Sequence, residues 1–439
     1  MFRSICFAVL IFCCTLQPSI SAAQEIQAED LNLQLEDEHF LQHEHANDNA
    51  TVARSSALSL PDVLEAAHSA HPDGLLHAGR DLADAELTRG ANRLLSGPAM
   101  LSLRYEDDTI GSNVGLQEWG STIDFSLFMP SERQARQLTA EQQHVLSAAI
   151  AKASRLQIAG QLRRTVWDIK AAEVSLDLAQ LAVQSAKRMQ QTVQKRVAAG
   201  ASAAAELPLL AAMTQQRQAE ALDARVELSH SHRRYSVLTG LETLPMDIAE
   251  NPVQLNDEQT IIDNHPLLQL ARQQREFAAA NLNLAERTWQ RKPTLGVGMR
   301  GERGRADQQY VEVAGLFVTI PLDFGGYNST QKSQSRIRLA EAERDHQSML
   351  RQLRLDLHDA ELNHLSAERA SKLARQRAEL SQQAHELAMR AYELGEIELT
   401  ALLRAADEQR QAALELGLRK VKLQQTTAML NQAAGQLPE

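Results

Sequence analysis

Residues 125–130 read Phe-Ser-Leu-Phe-Met-Pro, and residues 316–321 read Leu-Phe-Val-Thr-Ile-Pro. In the first segment, apolar Ile123, Phe125 and Leu127 alternate with polar residues. An alternation with a period of two predicts a β-strand with one apolar and one polar face. Each segment ends in a proline, so the two runs match in position as well as in apolar character. The two segments therefore predict two equivalent strands.

Each of these strands has a partner just before it in the chain. The predicted pairs are 99–107 with 118–129 and 294–302 with 310–320, separated by the turn-rich stretches 108–113 and 303–307. Short polar stretches with glycine between alternating segments predict hairpin-like connections. The sequence thus predicts two strand pairs, 99–129 and 294–320.

Landmarks around the strand pairs recur in the same order. The matching landmarks are His71-Pro72 with His265-Pro266, Pro98 with Pro293, Gly200 with Gly395, and Gly240 with Gly435. Such self-similarity predicts an internal repeat. We interpret 58–240 and 265–439 as two structural repeats and the proline-containing segment 241–264 as their linker.

Long helices are predicted after each strand pair. Residues 131–199 and 322–394 contain no proline and are rich in Ala, Leu, Gln, Glu and Arg. Apolar residues recur in them at spacings of three, four and seven, which is typical of coiled coils. Gly200 and Gly395 then predict sharp turns at the helix ends, from which a second helix returns.

The first residues predict export. Arg3 precedes a short apolar run and a stretch of small residues, which is typical of a secretory signal, here 1–23. All three cysteines, Cys6, Cys13 and Cys14, lie in it. Residues 24–57 follow as an acidic arm with eight acidic residues and one basic residue, and we expect it to be flexible.

Three histidines in the acidic arm are weak candidate metal ligands: His39, His43 and His45. On a helix, His39 and His43 would share a face, a spacing that suits a divalent cation. The alternative is that the arm is simply a solvated linker.

Composition excludes several classes of protein. The net charge is −11, so the sequence lacks the excess of basic residues that is typical of a nucleic-acid-binding protein. Neither a glycine-rich phosphate loop nor a Gly-x-Ser-x-Gly or His-Glu-x-x-His motif occurs. We therefore predict no enzymatic activity, no cofactor and no nucleic-acid partner.

Four strands pose a problem of closure. Their length suits outer-membrane strands of about 9–11 residues, but a barrel needs at least about 8 strands. An open edge in lipid leaves backbone groups unsatisfied. Identical chains are therefore expected to pool their strands. The alternative is a small soluble sheet.

The duplicated strand pairs, the Phe-Met-Pro and Ile-Pro-Leu-Asp-Phe-Gly-Gly segments and the turns at 197–200 and 392–395 resemble the TolC-like outer-membrane factor family. The resemblance implies a mainly α chain with a small antiparallel β part. It further implies a homotrimer, with a 12-stranded outer-membrane β-barrel in lipid continued by a long periplasmic α-helical barrel. Such a duct works with a periplasmic adaptor and an inner-membrane transporter, here expected to be of the RND type.

The resemblance also implies a gate near the turns. Gly200 and Gly395 would lie at the periplasmic tip and contact the adaptor, and Glu206 fits an acidic ring at the closed entrance, where it would attract cations. Arg404 departs from that pattern, and we predict that it pairs with a carboxylate such as Glu206 in the closed state. Solvated charges near a turn are the alternative.

The alanine-rich tip and the histidine-bearing arm resemble the heavy-metal (cobalt–zinc–cadmium) branch of the family. Divalent heavy-metal cations are therefore the expected substrate. Multidrug efflux and type I secretion are alternatives within the family. An exported coiled-coil structural protein and a periplasmic adaptor are alternatives outside it.

Overall fold

The computed structural model describes residues 53–255, 257–322 and 328–438. They are mainly helical with a small antiparallel sheet, which confirms the predicted fold class at this level. The predicted signal segment, all three cysteines and most of the acidic arm lie outside the described residues.

The order helix, two strands, long helix and returning helix occurs twice. The helices are α1 (Leu60–Ala70), α2 (Asp73–Asn92), α3 (Pro130–Ala198), α4 (Glu206–Thr239), α5 (Glu258–Asn264), α6 (Pro266–Arg287), α7 (Ser329–Leu394) and α8 (Leu399–Ala433). The strands are β1 (Arg54–Ser55), β2 (Met100–Asp107), β3 (Gln117–Ser126), β4 (Leu244–Pro245), β5 (Thr294–Arg303) and β6 (Val311–Thr319). Among the described residues, none of the helices combines the length and apolar character needed to cross a membrane.

The long helices pack side by side. Helix α4 lies against α3, α3 against α8, and α8 against α7, while α2 and α6 pack on α3. Three residues of the predicted apolar repeat on α3 are buried in this packing: Leu162, Val166 and Ile169 are at most 2% exposed. Burial of each such side chain stabilises the fold by about 1.5–3 kcal/mol.

One side of α7 exposes a regular series of leucines. Leu355, Leu362, Leu373, Leu380, Leu387 and Leu394 are each more than half exposed. Most are seven residues apart, which is the spacing of a coiled-coil seam. We call these six residues the α7 leucine stripe. In the chain alone, this apolar seam faces solvent.

The main sheet has the strand order β2-β3-β5-β6 and is antiparallel throughout. One row of directly opposed residues is Leu101, Ile123, Val297 and Leu316, all of which are apolar. The next row, on the opposite face, is Ser102, Thr122, Gly298 and Gly315. Farther along the polar face, Arg300 pairs with Glu302 at 3.1 Å and with Glu118 at 3.7 Å. Strands β2, β3 and β5 therefore have one apolar face and one polar face, as their sequence period requires. Strand β6 departs from this pattern, since Val311, Val313 and Phe317 lie on the polar face.

The apolar face of this sheet is open in the single chain. Leu101, Leu103, Leu316 and Val318 are between 63% and 75% exposed. Monomeric soluble proteins rarely expose contiguous apolar patches of this kind. Within the described residues, β2 and β6 also lack a further strand partner.

The end of β3 differs from the prediction. The strand was expected to reach Met129, but it ends at Ser126, followed by an isolated bridge between Leu127 and Leu95. Phe128 instead lies beneath two cations, 4.2 Å from Arg136 and 5.5 Å from Lys292. Both cations pair with the fully buried carboxylate of Glu132 at the start of α3. The chain therefore leaves the sheet early.

The end of the arm also differs. The flexible arm was predicted to extend to residue 57, but Arg54 and Ser55 pair in parallel with Leu244 and Pro245. Arg54 donates two hydrogen bonds, of 2.8 and 2.7 Å, to Glu173 on α3. Although burial acts to raise it, the hydrogen bonds from Arg54 and Lys170 hold the pKa of Glu173 below its usual range.

A buried arginine connects the two halves of the chain. The Arg163 guanidinium, 1% exposed, donates to Glu250 at 2.6 and 2.8 Å. It also donates to Gln432 at 2.6 Å and to the carbonyl of Gln436 at 2.8 Å. A buried charge is tolerated only when it is paired and hydrogen-bonded in this way. Arg163 thus joins α3 to the linker and to the end of α8.

The repeated His-Pro landmark caps a helix in the second half. His265 is 3% exposed, and its Nδ1 accepts from the backbone N–H of Leu267 at the start of α6. Burial lowers the pKa of His265 to about 4. Gly435 has a φ of +76°, and a Cβ there would lie 2.7 Å from the His265 ring. Glycine is therefore required at position 435 both by the left-handed backbone and by the close approach of the His265 ring.

Candidate functional site

The turns at the ends of α3 and α7 have the same construction. Gly200 and Gly395 have φ values of +74° and +78°. In each turn the following N–H reaches back five residues, from Ala201 to Arg196 O and from Glu396 to Ala391 O, both at 2.8 Å. This is a Schellman motif, in which glycine supplies the left-handed residue. The predicted turn role of both glycines agrees with this geometry.

A cluster of polar side chains connects the two turns. We call Arg196, Ser202, Glu206 and Tyr392 the tip clasp. The Tyr392 hydroxyl donates to Glu206 Oε2 at 3.0 Å and lies 3.4 Å from Ser202 Oγ. Arg196 donates to the carbonyl oxygens of Tyr392 and Glu393 at 2.9 and 3.0 Å. The clasp therefore ties the α3–α4 hairpin to the last turn of α7.

The tyrosine is the centre of the clasp. Tyr392 is 4% exposed, and the Arg196 guanidinium carbon lies 4.6 Å from the centre of its ring. Burial raises the pKa of Tyr392, and the Glu206 carboxylate adds to this increase. The phenol thus stays protonated and remains a donor. Apolar residues around it come from all four long helices, among them Val193, Leu210 and Leu402.

A second charged cluster connects the hairpins farther from the turns. Arg217 on α4 pairs with Asp407 on α8 at 2.8 Å and with Glu220 at 2.7 Å. Arg410 pairs with Asp407 at 3.0 Å. These pairs are partly exposed, so each contributes at most about 1 kcal/mol. Two layers of polar contacts, the clasp and this cluster, hold the hairpins together.

The structure brings together some of the predicted site residues. Glu206 lies in the clasp between the two glycine turns. Arg404 is exposed on α8, and among the described residues it forms no ion pair with Glu206. Their predicted pairing stays a prediction. His39, His43 and His45 lie outside the described residues, and the described ranges hold no group of three or more side chains suited to a metal ion.

Sequence reasoning assigned no role to Tyr392 or Arg196. Tyr392 was noted only as part of the turn before Gly395, and nothing in its neighbourhood marks it as a partner of Glu206. The two residues are 186 positions apart. The available signal was an arginine or a tyrosine one turn before the landmark glycine in each half. Chemically, the clasp is a set of reversible hydrogen bonds between hairpins.

The second half of the chain is similar to a known protein family. Residues 259–436 match the family described as outer membrane efflux protein. The match covers most of the second repeat. No curated protein matches the chain.

Solved structures share the fold over most of the chain. The outer membrane protein VceC of Vibrio cholerae is 16% identical with a TM-score of 0.67, over 87% of this chain and 97% of that one. CusC is 14% identical with a TM-score of 0.71, over 86% and 92%. The open-state MtrE outer membrane channel of Neisseria gonorrhoeae is 16% identical with a TM-score of 0.66, over 86% and 89%. At this identity the similarity shows a common fold.

Proposed function

We propose that the protein is an outer-membrane channel, the passive exit duct of a tripartite efflux system. The observation that carries the proposal is the two-faced sheet, with an exposed apolar row through Leu101 and Leu316 and a polar row on the opposite face. Alternation of this kind suits strands that contact lipid on one side and a polar interior on the other. The family match at 259–436 and the shared fold support the same function.

The working form is a homotrimer. The open edges of β2 and β6 support this, because strands in lipid require partners on both sides. Three copies would pool twelve strands into one barrel. The α7 leucine stripe supports the same arrangement, since its heptad spacing suits packing against a helix of a second copy. The long helices would continue the barrel into the periplasm.

The hairpin tips form the gate of the duct. The tip clasp holds the hairpins in a closed arrangement, and its release lets them separate. Glu206 supplies an acidic group at this entrance, and Arg404 pairs with a carboxylate across it. The open space around Gly200 and Gly395, where a Cβ would meet nothing within 4 Å, suits contact with a periplasmic adaptor.

The partners are a periplasmic adaptor and an inner-membrane transporter of the RND type. Divalent heavy-metal cations are the proposed substrate, supported by the histidine-bearing arm and by the acidic group at the entrance. Multidrug efflux or protein secretion is the second candidate.

Two experiments test these proposals separately. Migration of the unheated protein from outer-membrane fractions tests the channel: a trimer band that collapses to a monomer on heating is expected, and a monomer in the soluble periplasmic fraction would refute it. Growth of a deletion strain with Zn²⁺, Cd²⁺, Co²⁺, Ni²⁺, Cu²⁺ and hydrophobic drugs tests the substrate. Sensitivity to metals alone is expected, whereas sensitivity to drugs alone would refute the metal assignment and leave the channel intact.

A further inference from the structure

Two histidine rings lie close together at the corner between α1 and α2. His68 lies in the last turn of α1, and His77 lies one turn inside α2. Their ring centres are 6.0 Å apart, and the rings are inclined at 39°. Both residues are half-buried.

Each of these rings has a buried nitrogen without a hydrogen-bond partner in the described part of the chain: Nδ1 of His68 and Nε2 of His77. Leaving such an atom without a partner costs about 1–3 kcal/mol. In the turn between α1 and α2, His71 Nδ1 accepts from Asp73 N, and the Asp73 carboxylate accepts from Ser154.

We propose that His68 and His77 bind one divalent transition-metal ion between them. Neutral imidazole nitrogen is a preferred ligand for Zn²⁺, Ni²⁺ and Cu²⁺. With a metal–nitrogen bond of about 2.0–2.1 Å, two ring centres lie about 5 Å apart in tetrahedral geometry and about 6.4 Å apart in linear geometry. The observed 6.0 Å lies between these values, so small rotations of the side chains suffice.

The site has two protein ligands. No third metal-ligating side chain joins them within the described ranges, so water completes the coordination. A site of this kind exchanges its ion, unlike the closed four-ligand sites that stabilise folds. It lies on α1 and α2, apart from the tip clasp, and it does not depend on the proposed channel function or its substrate.

The test is Cu²⁺ binding to the full-length protein, purified without a polyhistidine tag. His39, His43 and His45 are replaced by alanine in every sample, so that the arm contributes nothing. At one equivalent of Cu²⁺, electron paramagnetic resonance should show coupling to two imidazole nitrogens. A spectrum that shows coupling to one imidazole nitrogen or to none would by itself overturn the proposal.

Variants locate the site. His68→Ala and His77→Ala should each weaken Zn²⁺ binding at least tenfold in titration calorimetry and leave a single coupled nitrogen in the Cu²⁺ spectrum. His230→Ala, an exposed histidine on α4, is the matched control and should change affinity less than twofold. Circular dichroism establishes that each variant is folded. Equal Zn²⁺ affinity in folded His68→Ala, His77→Ala and parent proteins would refute the site.

Discussion

Removal of one oxygen atom from the tip clasp should open the proposed gate. Tyr392→Phe deletes the hydroxyl that donates to Glu206 at 3.0 Å and lies near Ser202. The aromatic ring stays beneath Arg196, and the carbonyl oxygens that Arg196 contacts are unchanged. The substitution therefore tests the hydrogen bond and not the packing.

The magnitude follows from the surroundings of this bond. A hydrogen bond to a charged group contributes about 1.5–3 kcal/mol. Glu206 is only half-buried, so the lower end of that range, about 1.5 kcal/mol, is the appropriate value. This corresponds to a change of slightly more than tenfold in an equilibrium constant, at about 1.4 kcal/mol for each factor of ten. The ratio of open to closed channels should rise at least tenfold.

Single-channel recording in planar lipid bilayers measures this ratio. Tyr235→Phe is the matched control, because Tyr235 is also buried and its hydroxyl donates to Thr243 O at 2.9 Å, away from the tips. It should leave open probability unchanged. Glu206→Ala should raise the open probability as Tyr392→Phe does, and the double variant should add little, since both substitutions remove the same bond. An intact Tyr392→Phe trimer with the open probability of the parent protein would refute the clasp as a gate.

Three further predictions concern stability, measured by chemical denaturation in detergent. Burial lowers the pKa of His265 from 6.5 to about 4. Between these two pH values only the unfolded chain takes up a proton at this residue. The free energy of unfolding should therefore be full above pH 6.5 and fall by up to about 3 kcal/mol toward pH 4. His265→Asn, which can still cap α6, should flatten that part of the profile, and an unchanged slope would exclude His265 as its source. Gly435→Ala places a Cβ 2.7 Å from the His265 ring, whereas Gly200→Ala, at an equally left-handed backbone position, places a Cβ with nothing within 4 Å. Gly435→Ala should therefore lower the free energy of unfolding by at least about 1 kcal/mol more than Gly200→Ala. Equal losses would show that the contact with His265 is unimportant. Arg163→Met should cost about 3–5 kcal/mol, because it leaves the buried Glu250 carboxylate unpaired, and a loss below 1 kcal/mol would contradict that pairing.

Prolines and glycines at the ends of helices made much of the fold predictable. Pro130 begins α3, and the long helices end at Gly200 and Gly395 within one residue of the predicted positions. These residues act through their own backbone: proline lacks an N–H and glycine tolerates a positive φ. Local chemistry of this kind is visible in the sequence.

Contacts between distant segments were not predictable in the same way. The pairing of Arg54 with Glu173 spans 119 residues, and that of Tyr392 with Glu206 spans 186. Each depends on how helices pack, and a single arginine or tyrosine in a long polar helix gives no sign of its partner. The early end of β3 had the same origin, since Phe128 leaves the sheet to contact Arg136 and Lys292.

The network around Arg163 has a consequence for how such a chain evolves. Its charged partner lies in the linker, and its remaining partners lie near the C-terminus. Because this arginine is buried and bonded to both segments, we expect a change at position 163, 250 or 432 to be tolerated only together with a compensating change in another part of the chain. We expect these positions to covary among relatives, whereas exposed residues of the same helices drift freely.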